Sequence, residues 1–157
     1  MAYYIIYIHD LYRRGSMKIL IINGPNLNML GIREKEIYGS MTYDEMIDKI
    51  KNDNKDIELE FFQSNAEGEI IDKLHEAFHK KFDGIVLNPG AYTHYSYAIH
   101  DAVLSIMPIP VIEVHLSNIN SREEFRRNSV IAPACIGQIS GLGYMGYNLA
   151  ISYIKRG

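Results

Sequence analysis

The sequence predicts an open, parallel α/β sheet with helices on both faces. Short apolar runs alternate with helix-period segments five times along the chain, which implies parallel strands joined by crossover helices. The runs Ile19-Leu20-Ile21-Ile22, Gly84-Ile85-Val86-Leu87 and Val111-Ile112-Glu113-Val114 are apolar almost throughout, as in strands covered on both sides. The second run differs. There Ile57, Leu59 and Phe61 alternate with Glu58 and Glu60, as at a sheet edge. Right-handed crossovers leave few topologies. With a partly wet second strand, the expected one is a flavodoxin-like three-layer sandwich, a five-stranded parallel sheet of order 2-1-3-4-5.

The first strand covers 18–22. The connection after it is far longer than the usual strand-to-helix loop, and loops of that length inside compact domains are functional or disordered. Gly24, Pro25, Gly31 and Gly39 give it defined bends. Leu27, Met29, Leu30 and Ile32 give it apolar anchors, so 24–41 reads as a lid. Helix one starts at Thr42, where Thr42-x-x-Glu45 spells a capping box, and buries Met46, Ile47 and Ile50. Strand two covers 57–62. Helix two opens with a second box, Ser64-x-x-Glu67, and buries Ile70, Ile71, Leu74, Ala77 and Phe78. Strand three covers 84–87. After Asn88-Pro89-Gly90, helix three runs over 93–107 with Ala98, Ile99, Ala102, Val103 and Ile106 as its stripe. Strand four covers 111–114. A third box, Ser121-x-x-Glu124, starts a short helix carrying Arg122, Phe125, Arg126 and Arg127. Strand five covers 136–139 and the last helix 144–155.

With 157 residues, one domain over 17–157 is expected. Residues 1–16 stand apart as an expression-derived leader ahead of a second methionine, Met17; the alternative is an extra strand or a docking arm. The net charge of −3 without a basic stripe argues against nucleic acid as a partner. The apolar runs fall far short of a membrane span. Cys135 is the only cysteine, so no internal disulfide can form, which fits a reducing, cytoplasmic compartment. One cysteine and six scattered histidines also argue against a structural zinc site.

In such sheets ligands bind beyond the carboxyl ends of the strands. The residues expected there are Asn23, Asn26, Gln63, Asn88, His115, Ser117 and Ser140. They suit a small, hydroxyl-rich ligand better than a phosphate or a metal. Histidine changes charge near neutral pH, so His115 is the natural general acid or base there, unless it serves only as a helix cap. His94 sits at the same edge. The amides near Ser117 precede a helix and could hold a carboxylate. Arg126 is either an anion clamp or a solvated charge; Arg122 and Arg127 read as solvated. A free tyrosine is a poor base at neutral pH, but a guanidinium favours the tyrosinate, and Arg33 shares the lid with Tyr38. Two motifs read as decoys. His75-Glu76-Ala77-Phe78-His79 matches a zinc-protease helix, yet its histidines fall beside the buried stripe. Gly141-Leu142-Gly143-Tyr144-Met145-Gly146 matches a dinucleotide loop, yet only 147–157 follow, so close helix–sheet packing is expected instead.

Five linked stretches resemble the type II 3-dehydroquinate dehydratases. They are I-N-G-P-N-L-N-M-L-G-I-R-E with I-Y-G, Q-S-N-A-E-G-E-I-I-D, L-N-P-G-A-Y-T-H-Y-S, I-E-V-H-L-S-N-I-N-S-R-E-E-F-R and G-L-G-Y-M-G-Y. The resemblance covers Met17 to about Lys155. It implies the flavodoxin-like fold and conversion of 3-dehydroquinate to 3-dehydroshikimate without cofactor, metal or Schiff-base lysine, as a step of the shikimate pathway. It implies Tyr38 as the base at C2, Arg33 as its activating cation, a water on Asn26 that stabilises the enolate, and His115 as the acid for the departing hydroxyl. It further implies that Asn88, His94, Leu116, Ser117 and Arg126 hold the substrate. Asp101 would reach a neighbouring subunit's site within a trimer, four trimers forming a dodecamer. The rivals are a flavodoxin-like binding or signalling module and a zinc hydrolase using His75 and His79. A receiver would want an aspartate where Asn88 stands, and a flavin binder a Ser/Thr-rich loop where Asn23-Gly24-Pro25 stands.

Overall fold

A computed structural model describes residues 15–32 and 34–157. Residues 1–14, most of the expected leader, and Arg33 lie outside the described residues. Among the described residues, five parallel strands form one sheet: β1 (Lys18–Asn23), β2 (Glu58–Gln63), β3 (Gly84–Asn88), β4 (Val111–His115) and β5 (Gly137–Ser140). Their spatial order is β2-β1-β3-β4-β5, the expected flavodoxin-like order. All four neighbouring pairs are parallel.

The period-two side-chain alternation of β1 explains the three layers. Ile19 and Ile21 point to one face, into a core with Met46 and Ile50 of one helix and Tyr147, Ala150 and Ile151 of another. Leu20 and Ile22 point to the other face, with Ile70, Leu74, Ile99 and Val103. The helices are α1 (Lys35–Tyr38) within the lid, α2 (Tyr43–Asp53), α3 (Glu67–His79), α4 (Tyr97–Ser105) and α5 (Met145–Arg156). Thus α2 and α5 cover one face of the sheet, and α3 and α4 the other. Among the described residues no helix is long and apolar enough to cross a membrane.

Local signals fared unequally. The Thr42 capping box forms: the Thr42 hydroxyl accepts from Glu45 N at 3.2 Å, and Thr42 N donates to Glu45 Oε2 at 2.8 Å. The Ser64 box does not. Ser64 lies two residues too early for the α3 cap at Ala66, and its hydroxyl accepts from Ala66 N instead. Glu67 takes a hydrogen bond from Ser96, whose hydroxyl also caps α4 through Ile99 N. Helix α4 therefore starts at Tyr97, not at 93; Gly90–His94 forms a 3-10 turn first. The Ser121 box fails too. No α-helix forms there, only 3-10 turns at Ile119–Ser121 and Glu124–Arg126, because the Ser121 hydroxyl bonds back to Asn118 O. Phe78, expected in the core, is exposed in the last turn of α3, and Ala98 is exposed on α4.

The lid is folded onto the sheet edge through Leu27 and Leu30, which are buried. Met29 and Ile32, also expected as anchors, face outward because the 3-10 turn at Leu27–Met29 presents only one side to the core. The lid's root is tightly held. Gly24 N donates to Asn88 O at 2.7 Å, and Gln63 Nε2 donates to Gly24 O at 3.2 Å. A Cβ at position 24 would lie 2.6 Å from the carbonyl carbon and oxygen of Pro89, so only glycine fits. Backbone rather than a flexible side chain fills that space. Gly24→Ala is expected to cost about 1–3 kcal/mol, the range for overpacking, read as a lower urea midpoint. An unchanged midpoint would show that the root can move aside.

Candidate active site

The parallel register carries the site. Asn23 pairs with Gln63 on β2 and with Asn88 on β3, so three amide side chains stand together at the carboxyl edge. Beside them lies a cleft lined by Asn26, Leu27, Leu30, Tyr38, Asn88, His94, His115, Leu116, Ser117, Arg122 and Arg126, among others. Eight of the expected site residues therefore share one cleft: Asn26, Tyr38, Asn88, His94, His115, Leu116, Ser117 and Arg126. Asp101 is not among them. It is exposed on α4 and, among the described residues, bonds to neighbouring His100, at 3.1 Å. The structure says nothing of Arg33, which lies outside the described residues.

His115 is backed by a carboxylate. Its Nε2 lies 2.5 Å from Glu113 Oε1, and because a carboxylate accepts, that nitrogen carries the hydrogen. Glu113 also accepts from Thr93, from Ser129 and from Gln138. Burial pushes the Glu113 carboxyl up, but the bond and charge of His115 and the bonds from Thr93 and Gln138 outweigh it and hold it low. His94 Nδ1 lies 2.9 Å from Asn128 O; a carbonyl only accepts, so Nδ1 bears the hydrogen and Nε2 is left as an acceptor. Burial, with the nearby charges of His115 and Arg126, keeps His94 below its usual value and so neutral.

Tyr38 closes the other wall. Arg122 Nη1 donates to its hydroxyl at 2.6 Å, with the guanidinium carbon 5.5 Å from the ring centre. Arg122 also reaches Glu34 at 3.3 Å, and its side chain is only 9% exposed. Its expected place in solvent is thus corrected. The segment after β4 folds as tight turns rather than a helix, which turns Arg122 inward under the lid. Arg127 is exposed, as expected. Arg126 lies over Phe125 and pairs with Glu123 at 2.9 Å.

The decoys resolve physically. His75 and His79 are exposed on α3, and among the described residues no cluster of three or more His, Cys, Asp or Glu could hold a metal. The glycine run packs against the tip of β4: Gly141 N donates to His115 O at 3.1 Å, and Gly143 N to Leu116 O at 3.0 Å. Gly141 has φ +92, and a Cβ there would press on Asn118 at 3.0 Å. The run therefore holds the backbone of His115 and Leu116 in place.

Arg122 and Glu113 were the residues missed. Glu113 left a signal, since an acidic residue in an otherwise apolar central strand must find partners. Arg122 left none that separates it from Arg126 and Arg127.

The family model described as dehydroquinase class II matches residues 17–155. The chain belongs to that family. It is 61% identical over 142 residues to the 3-dehydroquinate dehydratase of Clostridium perfringens (strain SM101 / Type A), covering 89% of this chain and 97% of that one. It is 61% identical over 140 residues to the enzyme of the same name from Caldicellulosiruptor bescii, covering 88% and 96%. Among solved structures, the type II dehydroquinase from Butyrivibrio crossotus DSM 2876 superposes with a TM-score of 0.87 at 58% identity, over 89% of this chain and 98% of that one.

The depressed Glu113 carboxyl has a signed consequence. Its charged form is favoured on folding, so its contribution is complete above the unfolded glutamate value and fades as pH falls below about 4.5. Glu113→Gln should be less stable than wild type at pH 7, and urea titrations should show that gap narrowing as pH falls below about 4.5. A gap that widens on acidification would contradict the assignment.

Proposed function

We propose that this cleft dehydrates 3-dehydroquinate to 3-dehydroshikimate through an enolate, with Tyr38 as base and His115 as acid. The coarser statement rests on kinship: a class II dehydroquinase with curated relatives at this identity is a 3-dehydroquinate dehydratase of the shikimate pathway. The finer one rests on chemistry. Tyr38, as tyrosinate, takes the proton from C2. The electron pair moves onto the C3 carbonyl oxygen, where a water on Asn26 stabilises it. Collapse of the enolate forms the C1–C2 double bond and expels the C1 hydroxyl. His115 protonates that hydroxyl, and water leaves.

The observation that carries the proposal is the 2.6 Å bond from Arg122 to Tyr38, across the cleft from His115 and its Glu113 carboxylate. Arg122 aims a charged donor at the phenol oxygen that would work as the base. Glu113 binds one ring nitrogen of His115 and so orients the imidazole at the cleft. Arg33, in the lid, keeps its proposed part as an activating cation for Tyr38, beside Arg122. Asn88, His94, Arg126 and the amides of Leu116 and Ser117 would hold the ring hydroxyls and the carboxylate.

Tyr38→Phe is expected to lower kcat by at least about a hundredfold, the low end of general-base catalysis, with the fold intact by circular dichroism. Arg122→Ala should lose about a hundredfold alone and little more on the Tyr38→Phe background, because the two act as one unit. A Tyr38→Phe enzyme at wild-type rate would reject the base.

Asp101 has a proposed role only across a subunit boundary, in trimers assembled into a dodecamer. Supporting it, the exposed apolar residues Tyr95, Tyr97, Leu104 and Met107 flank the same helix. Light scattering should give a mass of about twelve chains, and Asp101→Ala should lower activity without changing that mass. A monomer with full activity would remove Asp101 from the site.

A further inference from the structure

We infer that Tyr147, which does not itself line the cleft, is a positioning residue: it anchors one amide hydrogen of Asn88 and so holds that side chain in place at the cleft. Tyr147 is fully buried on α5. Its hydroxyl donates to Asn23 Oδ1 at 2.6 Å and accepts from Asn88 Nδ2 at 2.8 Å. Asn23 Nδ2 continues the chain to Tyr43 at 3.2 Å. Asn23 is fully buried and Asn88 is 3% exposed, so no solvent competes for these groups.

The direction of the chain is forced. Gly90 N lies 3.2 Å from Asn88 Oδ1, and a backbone N–H can only donate. Asn88 must therefore turn its oxygen to Gly90 and its amide nitrogen to Tyr147. Tyr147 then has to accept, which sends its one hydrogen to Asn23. Asn23 is left with its NH2 to give, and Tyr43 receives it. Reversing any link sets two donors or two acceptors against each other.

The consequence reaches the cleft, which Asn88 lines. Its oxygen is engaged by Gly90 and one amide hydrogen by Tyr147. On that nitrogen the second amide hydrogen remains for a ligand, so the Asn88 nitrogen acts as a donor toward a substrate oxygen. This contrasts with His94, whose Nε2 is an acceptor. The two present opposite polarity to a polyhydroxylated ring. The inference rests on the proposal that Asn88 contacts 3-dehydroquinate, and the test separates the two.

The test is a double-mutant cycle on Tyr147→Phe and Asn88→Ala, with kcat and KM measured on 3-dehydroquinate. Loss of one neutral hydrogen bond corresponds to about a tenfold effect. Tyr147→Phe should raise KM by about tenfold with kcat nearly unchanged, and should add nothing on the Asn88→Ala background. If Tyr147→Phe does not fold, Asn23→Ala frees the same hydroxyl hydrogen and is read the same way. Independent, multiplying losses, or an unchanged KM in a folded variant, would overturn the positioning role. An Asn88→Ala enzyme with wild-type KM would instead overturn the substrate contact itself.

Discussion

A single buried carboxylate holds the working half of this molecule together. Glu113 sits fully buried in the central strand β4 and accepts hydrogen bonds from His115, Thr93, Ser129 and Gln138. Those partners come from the strand tip, the turn after β3, the loop before β5 and β5 itself. An ionised carboxylate in an apolar core is costly unless it is fully bonded. The four segments therefore have one arrangement in which the charge is satisfied, and that arrangement fixes the His115 imidazole at the cleft. The same constraint couples stability to chemistry, since the charge that orders the loops also faces the acid.

The opposite wall is held by different means. There the lid is pinned at its root by Gly24 and Gln63, wedged by Leu27 and Leu30, and tied at its tip by Arg122 to Tyr38. Beside the cleft runs the line Gln63, Asn23 and Asn88, set side by side by sheet register. Strand register is a strong positional device, because slipping it by one residue reverses every side chain. The site thus combines a rigid floor with a lid attached at both ends.

How much of this could be read in the sequence depends on what each signal reports. Strand order was legible because burial on both faces leaves a composition, and β2 alone carries alternating glutamates. The strand-tip residues were legible for the same reason: a polar residue closing an apolar run must face the edge. The capping boxes at Ser64 and Ser121 misled, because Ser and Glu at the right spacing bond elsewhere when a tertiary partner competes, as Ser96 does for Glu67. Arg122 was illegible, since only the fold of the turns after β4 decides which of three nearby arginines turns inward. Tyr147 looked like one more core aromatic on the last helix. Its role depends on two asparagines far away in sequence, at positions 23 and 88.

The most direct test is to mix the purified protein with 3-dehydroquinate and follow near-ultraviolet absorbance, with and without borohydride and a chelator. The account predicts a growing conjugated-enone signal that neither additive changes. Activity lost to borohydride only in the presence of substrate would reveal an imine-forming lysine and contradict the tyrosinate and enolate route. Activity lost to the chelator would contradict it equally.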